Sequence, residues 1–211
     1  MGIVENATTA ASLINQERIN IQGDSSTSYN VPKGITKIRK YAFYQNKFTS
    51  VVIPDDVIII DEYAFGDCNA LISLSIGDSV TNIGKGAFGG CTSLTELTIP
   101  DSVSRIDNSA FNGCTSLTKL TIPDSVTNIG DFAFYDCTSL TELSLAQGFN
   151  CNKLNVLWST HFTAETIVAC LEALADRTGQ TAYTIAFGTT NLKKLTPEQK
   201  AIATNKNWNL A

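Results

Sequence analysis

Histidine is almost missing from this sequence, with His161 standing alone in 211 residues. A catalytic triad or an imidazole-rich metal centre therefore has little to be built from. No Walker A stretch, no G-x-S-x-G elbow and no H-E-x-x-H pair occurs either. Their absence argues against P-loop phosphate binding, hydrolase chemistry and zinc proteolysis. Basic residues are in the minority, 15 Lys+Arg against 20 Asp+Glu, and a net charge of −5 speaks against a dedicated nucleic-acid binder. No apolar run reaches the roughly 18–20 residues of a membrane-spanning helix. The opening Met1-Gly2-Ile3-Val4-Glu5-Asn6 has neither a basic segment nor an apolar core, so no signal peptide is expected in this chain. Asn6 also stands where myristoylation requires Ser or Thr. The expectation is a folded protein that is not an enzyme, carries no cofactor and has no membrane span.

What the chain does have is self-similarity. Phe65, Phe88, Phe111 and Phe134 are 23 residues apart, and so are Cys68, Cys91, Cys114 and Cys137. Pro100 and Pro123 keep the step, Pro54 is in register, and Gly77 replaces the proline in one copy. An earlier copy contains Ile38, Ala42-Phe43, Phe48, Val51 and Ile53-Pro54, with Asn46 near the cysteine position. Such a short fixed period marks units that cannot bury their apolar side alone and must stack. Leu94, Leu97 and Ile99 with intervening Thr read as a short strand, stopped by Pro100, which cannot donate to a ladder. Asp101-Ser102 then turns the chain through local side-chain hydrogen bonds. Val103 and Ile106 lead into Ala110-Phe111 on the opposite side, and nothing in the repeat has helical length or period.

The pattern Ile-Gly-x-x-Ala-Phe-x-x-Cys-x-x-Leu-x-x-Leu-x-Ile-Pro resembles the BspA-type leucine-rich repeat. The resemblance covers residues 29–146 and implies a curved right-handed solenoid, mainly β, with a parallel sheet on its concave face. It further implies binding to proteins or surfaces, often outside the cell, and no catalysis. Residues 1–28 are expected to be an irregular N-terminal cap, in which Ile19–Gln22 and Ser28–Val31 pair as a small hairpin. Residues 147–211 are expected to be an α/β C-terminal cap. Within that cap Thr163 caps a helix whose apolar face is Ile167, Cys170, Leu171 and Leu174, closed by Gly179. Strands are expected at 154–158, 181–187 and 208–210, and Thr196-Pro197-Glu198-Gln199 is a capping box with proline at its first helical position.

Three groups invite a chemical reading. The repeat cysteines would stack at about the 4.8 Å strand spacing, as a ladder of buried thiols. A disulfide is permitted by that distance but poorly posed, and a zinc site would need converging pairs. The turn carboxylates Asp55, Asp78, Asp101 and Asp124 could hold Ca²⁺, but the other oxygen ligands of a calcium loop are missing, which favours turn capping. His161 has no nucleophile or orienting acid assigned to it and reads as a surface or packing residue. Asn6-Ala7-Thr8 fits a glycosylation acceptor.

The face expected to be concave is where recognition would reside. Its outward columns are Ser50, Ser73, Glu96, Lys119, Glu142 and Val52, Ser75, Thr98, Thr121, Ser144. Glu96, Lys119 and Glu142 alternate in sign across adjacent strands, and the first column is taken as the candidate binding site for a protein or glycan. Tyr41 and Tyr63 precede the Ala-Phe pair where other copies have Gly86, Ser109 and Phe132, and Tyr44 and Tyr135 follow it. These are expected on the outer side or edge. Charge divides unevenly, +2 over residues 152–211 and −7 over the rest. The function expected is a non-catalytic binding or adhesion module, secreted or at the cell surface. The alternative is a structural component of a larger surface or virion assembly.

Overall fold

The computed structural model describes residues 28–211. Each repeat closes one coil with two short strands, and each strand pairs in parallel with its counterpart one coil away. The first series is β1 (Ser28–Asn30), β3 (Ser50–Val52), β5 (Ser73–Ser75), β7 (Glu96–Thr98), β9 (Lys119–Ile122) and β11 (Glu142–Leu145). It forms the Leu-strand face, in two ladders ordered β1-β3-β5 and β7-β9-β11. The second series, β2 (Lys37–Ile38), β4 (Ile59–Ile60), β6 (Asn82–Ile83), β8 (Arg105–Ile106) and β10 (Asn128–Ile129), makes one continuous five-stranded sheet. Glu96 lies opposite Lys119 and Lys119 opposite Glu142, so the register is the 23-residue step itself. The architecture is a leucine-rich-repeat solenoid.

The strands are short, and the turn around each Ala-Phe pair carries as much of the stacking as they do. There, alternate residues donate to the next coil: Tyr63 N–H to Lys85 O at 2.8 Å, Phe65 N–H to Ala87 O at 2.7 Å and Asp67 N–H to Gly89 O at 2.7 Å. The pattern recurs from Gly86, Phe88 and Gly90 and again from Ser109, Phe111 and Gly113. Pointing those N–H groups along the stack takes left-handed backbone at the first and third positions. Tyr41, Tyr63, Gly86, Ser109 and Phe132 have φ between +51° and +60°, and Gln45, Asp67, Gly90, Gly113 and Asp136 between +55° and +74°. Glycine adopts this region freely, whereas an L side chain there costs roughly 1–2 kcal/mol.

Inside the turns the phenylalanines form one buried row. Ring centroids from Phe43 through Phe65, Phe88, Phe111 and Phe134 are 4.9, 5.2, 5.3 and 5.6 Å apart, all nearly parallel. Phe48 takes the position of Leu71 and, with Tyr29, covers the first ring of the row. Threonine hydroxyls cross between coils as well, Thr118 Oγ1 donating to Thr95 O at 3.0 Å and Thr141 Oγ1 to Thr118 O at 3.3 Å. The Asp-Ser turns work the same way and not through the local bonds expected. Asp55 accepts the Asp78 N–H at 2.9 Å, and Ser102 and Ser125 donate to Val80 O and Val103 O one coil back.

After β11 the coil widens. β12 (Lys153–Asn155) lies beside β10, where Asn152 Oδ1 accepts the Ile129 N–H at 3.1 Å. Helix α1 (Ala164–Ala173), capped by Thr163, packs over β11 where a further Leu strand would lie, and Cys170 Sγ donates to Leu143 O. β13 (Tyr183–Ala186), α2 (Gly188–Leu192), α3 (Pro197–Asn205) and β14 (Trp208–Leu210) follow, with β12-β13-β14 a parallel sheet. The capping box at Thr196 and Gln199 is present. Gly179 does not close α1: the chain turns extended at Leu174 to bridge Phe149, and the Lys206 ammonium takes the carbonyls of Leu171, Glu172 and Leu174. Ser28–Asn30 pairs in parallel with Ser50–Val52 and so opens the Leu-strand ladder; the other strand of the expected hairpin falls outside the described residues. Ile19–Gln22 and Asn6-Ala7-Thr8 lie outside the described residues.

Replacing Phe111 by Ala removes a ring stacked on both faces and should cost about 3–5 kcal/mol. Urea unfolding measures it, and a loss below about 1 kcal/mol would show that the row is not a core.

Candidate binding surfaces

The Leu-strand face brings the candidate column together. Ser50, Ser73, Glu96, Lys119 and Glu142 occupy equivalent positions on successive strands, with Glu96, Lys119 and Glu142 exposed. Only half of the expected charge alternation closes. Lys119 Nζ lies 3.8 Å from Glu142 Oε2, and Glu96 makes no ion pair among the described residues. An exposed pair of this kind is worth at most about 1 kcal/mol, so the charges define the surface more than they hold it.

The column is interrupted between Ser73 and Glu96. β5 and β7 are neighbours without forming a ladder, and a cleft of about 320 Å³ opens there, lined by Ile72, Ser73, Leu74, Thr95, Glu96 and Thr98. Ile53 N–H reaches Ser75 O and Ile99 N–H reaches Thr121 O, but the equivalent bond from Ile76 to Thr98 is missing. Gly77 lies at the same level of this coil. It rests on Pro54 so closely that a Cβ would stand 2.5 Å from the Pro54 carbonyl carbon. A proline ring, as at Pro100 and Pro123, would not fit against Pro54 at that distance. The proline-to-glycine change was visible in the sequence; its consequence was not.

The other candidate groups are structural in what they touch. The four repeat cysteines are buried and free, and each donates to a phenylalanine carbonyl in the preceding coil, from Cys68 on Phe43 O at 3.1 Å to Cys137 on Phe111 O at 3.4 Å. Cys151 and Cys170 are also free and buried. Removal from water pushes Cys68, Cys137 and Cys170 up to about 12 and Cys151 to about 11, with Cys91 and Cys114 raised too. His161 is exposed and meets Thr138 O through Nδ1 at 3.2 Å, in the column where the Thr92 and Thr115 hydroxyls reach Asn69 O and Thr92 O one coil back. Gly84, Gly86 and Gly89 happen to fall at dinucleotide-binding spacing. They lie in the turn after β6, where no helix N-terminus follows to receive a pyrophosphate. Among the described residues no three His, Cys, Asp or Glu side chains converge as metal ligands, and no helix is long and apolar enough to cross a membrane.

A family model for the BspA-type leucine-rich repeat region matches residues 36–163 in six copies. The chain belongs to the BspA-type leucine-rich repeat family. The match extends into the widened coil around Leu154 and Trp158, beyond the residues on which the resemblance was read. Among solved structures the chain is 34% identical to a leucine rich cell surface protein from Faecalibacterium prausnitzii A2-165, with a TM-score of 0.55 over 57% of this chain and 32% of that one. The chain thus spans about a third of that relative. It shares its fold with a T. pallidum leucine-rich repeat protein, at 21% identity and TM-score 0.66 over 88% of this chain and 86% of that one. The pneumococcal vaccine antigen PcpA shares it too, at 22% identity and TM-score 0.52, over 88% of this chain and 40% of that one. A comparison with curated proteins finds no match.

The six thiols make a direct prediction. Native protein should react slowly with a thiol reagent at pH 8, and all six groups should react once it is denatured without reductant. Fewer than six would reveal a disulfide or a bound metal. Because the unfolded chain ionises its thiols near 8.5 while the folded chain keeps those protons to about 11 or 12, unfolding releases protons across that range. Their stabilisation is complete below about pH 8.5 and is lost as the pH climbs toward 12. A urea midpoint that holds steady from pH 8 to pH 11 would contradict this burial.

Proposed function

We propose that this chain is a non-catalytic binding or adhesion module that presents its Leu-strand face to a protein or glycan partner at a cell surface. The observation that carries the reading is the cleft between β5 and β7, set in the middle of the column Ser50, Ser73, Glu96, Lys119 and Glu142. Elsewhere on this face the backbone is consumed by the ladder. At the cleft, the Ile76 N–H and the Thr98 carbonyl are released beside the Ser73 and Thr98 hydroxyls and the Glu96 carboxylate, with half-buried Leu74 as the apolar floor. A few placed polar groups around an apolar base are what orients a small part of a ligand. Family membership supports the reading, since leucine-rich repeats typically serve protein interaction, and the F. prausnitzii relative is described as a cell surface protein.

Lys119→Glu tests it, because it sets three like charges on adjacent strands next to the cleft. Loss of the exposed Lys119–Glu142 pair should lower stability by no more than about 1 kcal/mol. Binding to whatever parent protein captures from arrays of host extracellular proteins and glycans should fall far more than that, roughly tenfold or beyond. It should also become less salt-sensitive if Lys119 faces an acidic partner. A folded variant with the parent's array profile would move the site off this face.

A further inference from the structure

The parting of β5 from β7 is confined to one side of the coil. On the Leu-strand side the bonds between these two coils are stretched or missing. The N–H that opens each crossing runs from Ile72 to Thr49 O at 2.8 Å, from Thr118 to Thr95 O at 2.8 Å and from Thr141 to Thr118 O at 3.0 Å. From Thr95 to Ile72 O it is 3.4 Å. The next donor, Ser73, Lys119 or Glu142, shares the same carbonyl in the other coils, and Glu96 does not. Inward side chains record the same gap. Leu74 and Ile76 are half-buried, whereas Val51, Leu97 and Leu120 at the first position and Ile53, Ile99 and Ile122 at the second are buried.

The rest of this boundary holds. Before the gap, the turn bonds from Tyr63, Phe65 and Asp67 are 2.8, 2.7 and 2.7 Å long, and the Phe65 and Phe88 rings stack at 5.2 Å and 3°. Ser93 Oγ donates to Asn69 O at 2.6 Å just ahead of the strands. After the gap, β6 pairs with β8 in full register. The two coils are therefore fixed to each other along the Phe turn and the second sheet, and separate along the Leu strands.

Bending a stack of bonded coils stretches a ladder on one side. Within β1-β3-β5 and within β7-β9-β11 that means breaking hydrogen bonds already made; between β5 and β7 only the 3.4 Å bond resists. Motion is taken up where the fewest native interactions are lost. The facing edges are also matched. Continuing the register of the flanking pairs sets Ser73 against Glu96, Leu74 against Leu97 and Ser75 against Thr98. Closure would make the missing bonds and return Leu74 and Ile76 to the core. We propose that the Leu-strand face consists of two rigid halves, β1-β3-β5 and β7-β9-β11, hinged along the Phe turn and the second sheet, so that the cleft between them opens and closes. Its width is a variable of the free protein, and a ligand that fills it holds the halves in one setting. The hinge stands on the bonding pattern and does not rest on the partner proposed for this face.

Nitrogen-15 relaxation dispersion on the unliganded full chain tests it. The amides of Leu74, Ile76, Glu96 and Thr98 should share one exchange process in the microsecond-to-millisecond range of hinge motions, with none at Ile53, Ile83, Ile99 or Ile106. Two variants should bias the motion. Ser73→Lys places an ammonium opposite the exposed Glu96 carboxylate and should draw the gap shut, whereas Ser73→Glu should hold it apart. Nitroxides on Val52→Cys and Ser144→Cys, exposed positions on the two halves, report the result, since the six native thiols are buried. Their mean separation should be shorter with Ser73→Lys than with Ser73→Glu, and the difference should shrink at about 1 M salt. Flat dispersion at the four cleft amides, or equal separations in the two variants, would overturn the hinge and leave a fixed groove. Dispersion that also engages Ile83 and Ile106 would overturn it as well, because the second sheet would then be loosening with the first.

Discussion

The molecule depends on one constraint, that backbone N–H groups of each coil must find carbonyls in the next. Both strand series and the Phe turn obey it, which leaves few buried backbone groups to be satisfied any other way. The step is 23 residues from Phe65 onward and 22 in the first coil, where Ser28 pairs with Ser50 and Ile38 with Ile60, so a one-residue change is taken up in the turn without losing the register of the strands. Identical side chains are then brought to the same place one strand spacing apart. The Phe row and the thiol ladder are consequences of that translation, and each cysteine is bonded to a phenylalanine carbonyl by the same geometry.

The same constraint decides where the molecule can vary. Inward positions repeat because each must fit the copy on either side. Outward positions face water and carry Ser, Glu, Lys or Thr without affecting the stack. Between these lie the left-handed turn positions, whose backbone is imposed by the ladder whatever residue is present. Glycine fits them best, so an aromatic at Tyr63 or Phe132 needs a reason. Tyr63 finds one by covering Gly86, and Phe132 packs edge-on against Tyr135 in a turn held by the bonds from Ser109 and Phe111.

Departures from regularity are where the surface stops being uniform. Between β5 and β7 the Leu-strand ladder is interrupted and a cleft opens, at the coil where Gly77 replaces proline. At the far end the coil widens around Asn152 and the turn ladder ends, with Phe132, Tyr135 and Trp158 in tilted contact along that edge. Lys206, from the end of α3, finishes α1 over the last Leu strand, so the stack is closed by side-chain chemistry as well as by apolar cover.

The sequence by itself determined the repeat, the strand positions, the inward residues and the outward columns. Period, proline stops and apolar spacing are local or translational properties, and translation along a solenoid maps them directly into space. The capping signals at Thr163 and Thr196 were legible for the same reason, since a cap is made within four residues. The end of α1 was not, because Lys206 reaches it from more than thirty residues away. Nor could the sequence show which Glu–Lys pair closes, that the Asp-Ser turns bond across coils, or that Ser28–Asn30 joins the parallel sheet. The cleft also belonged to the tertiary structure, because it depends on which bonds form between neighbouring coils at β5 and β7, and spacing in a sequence does not record that.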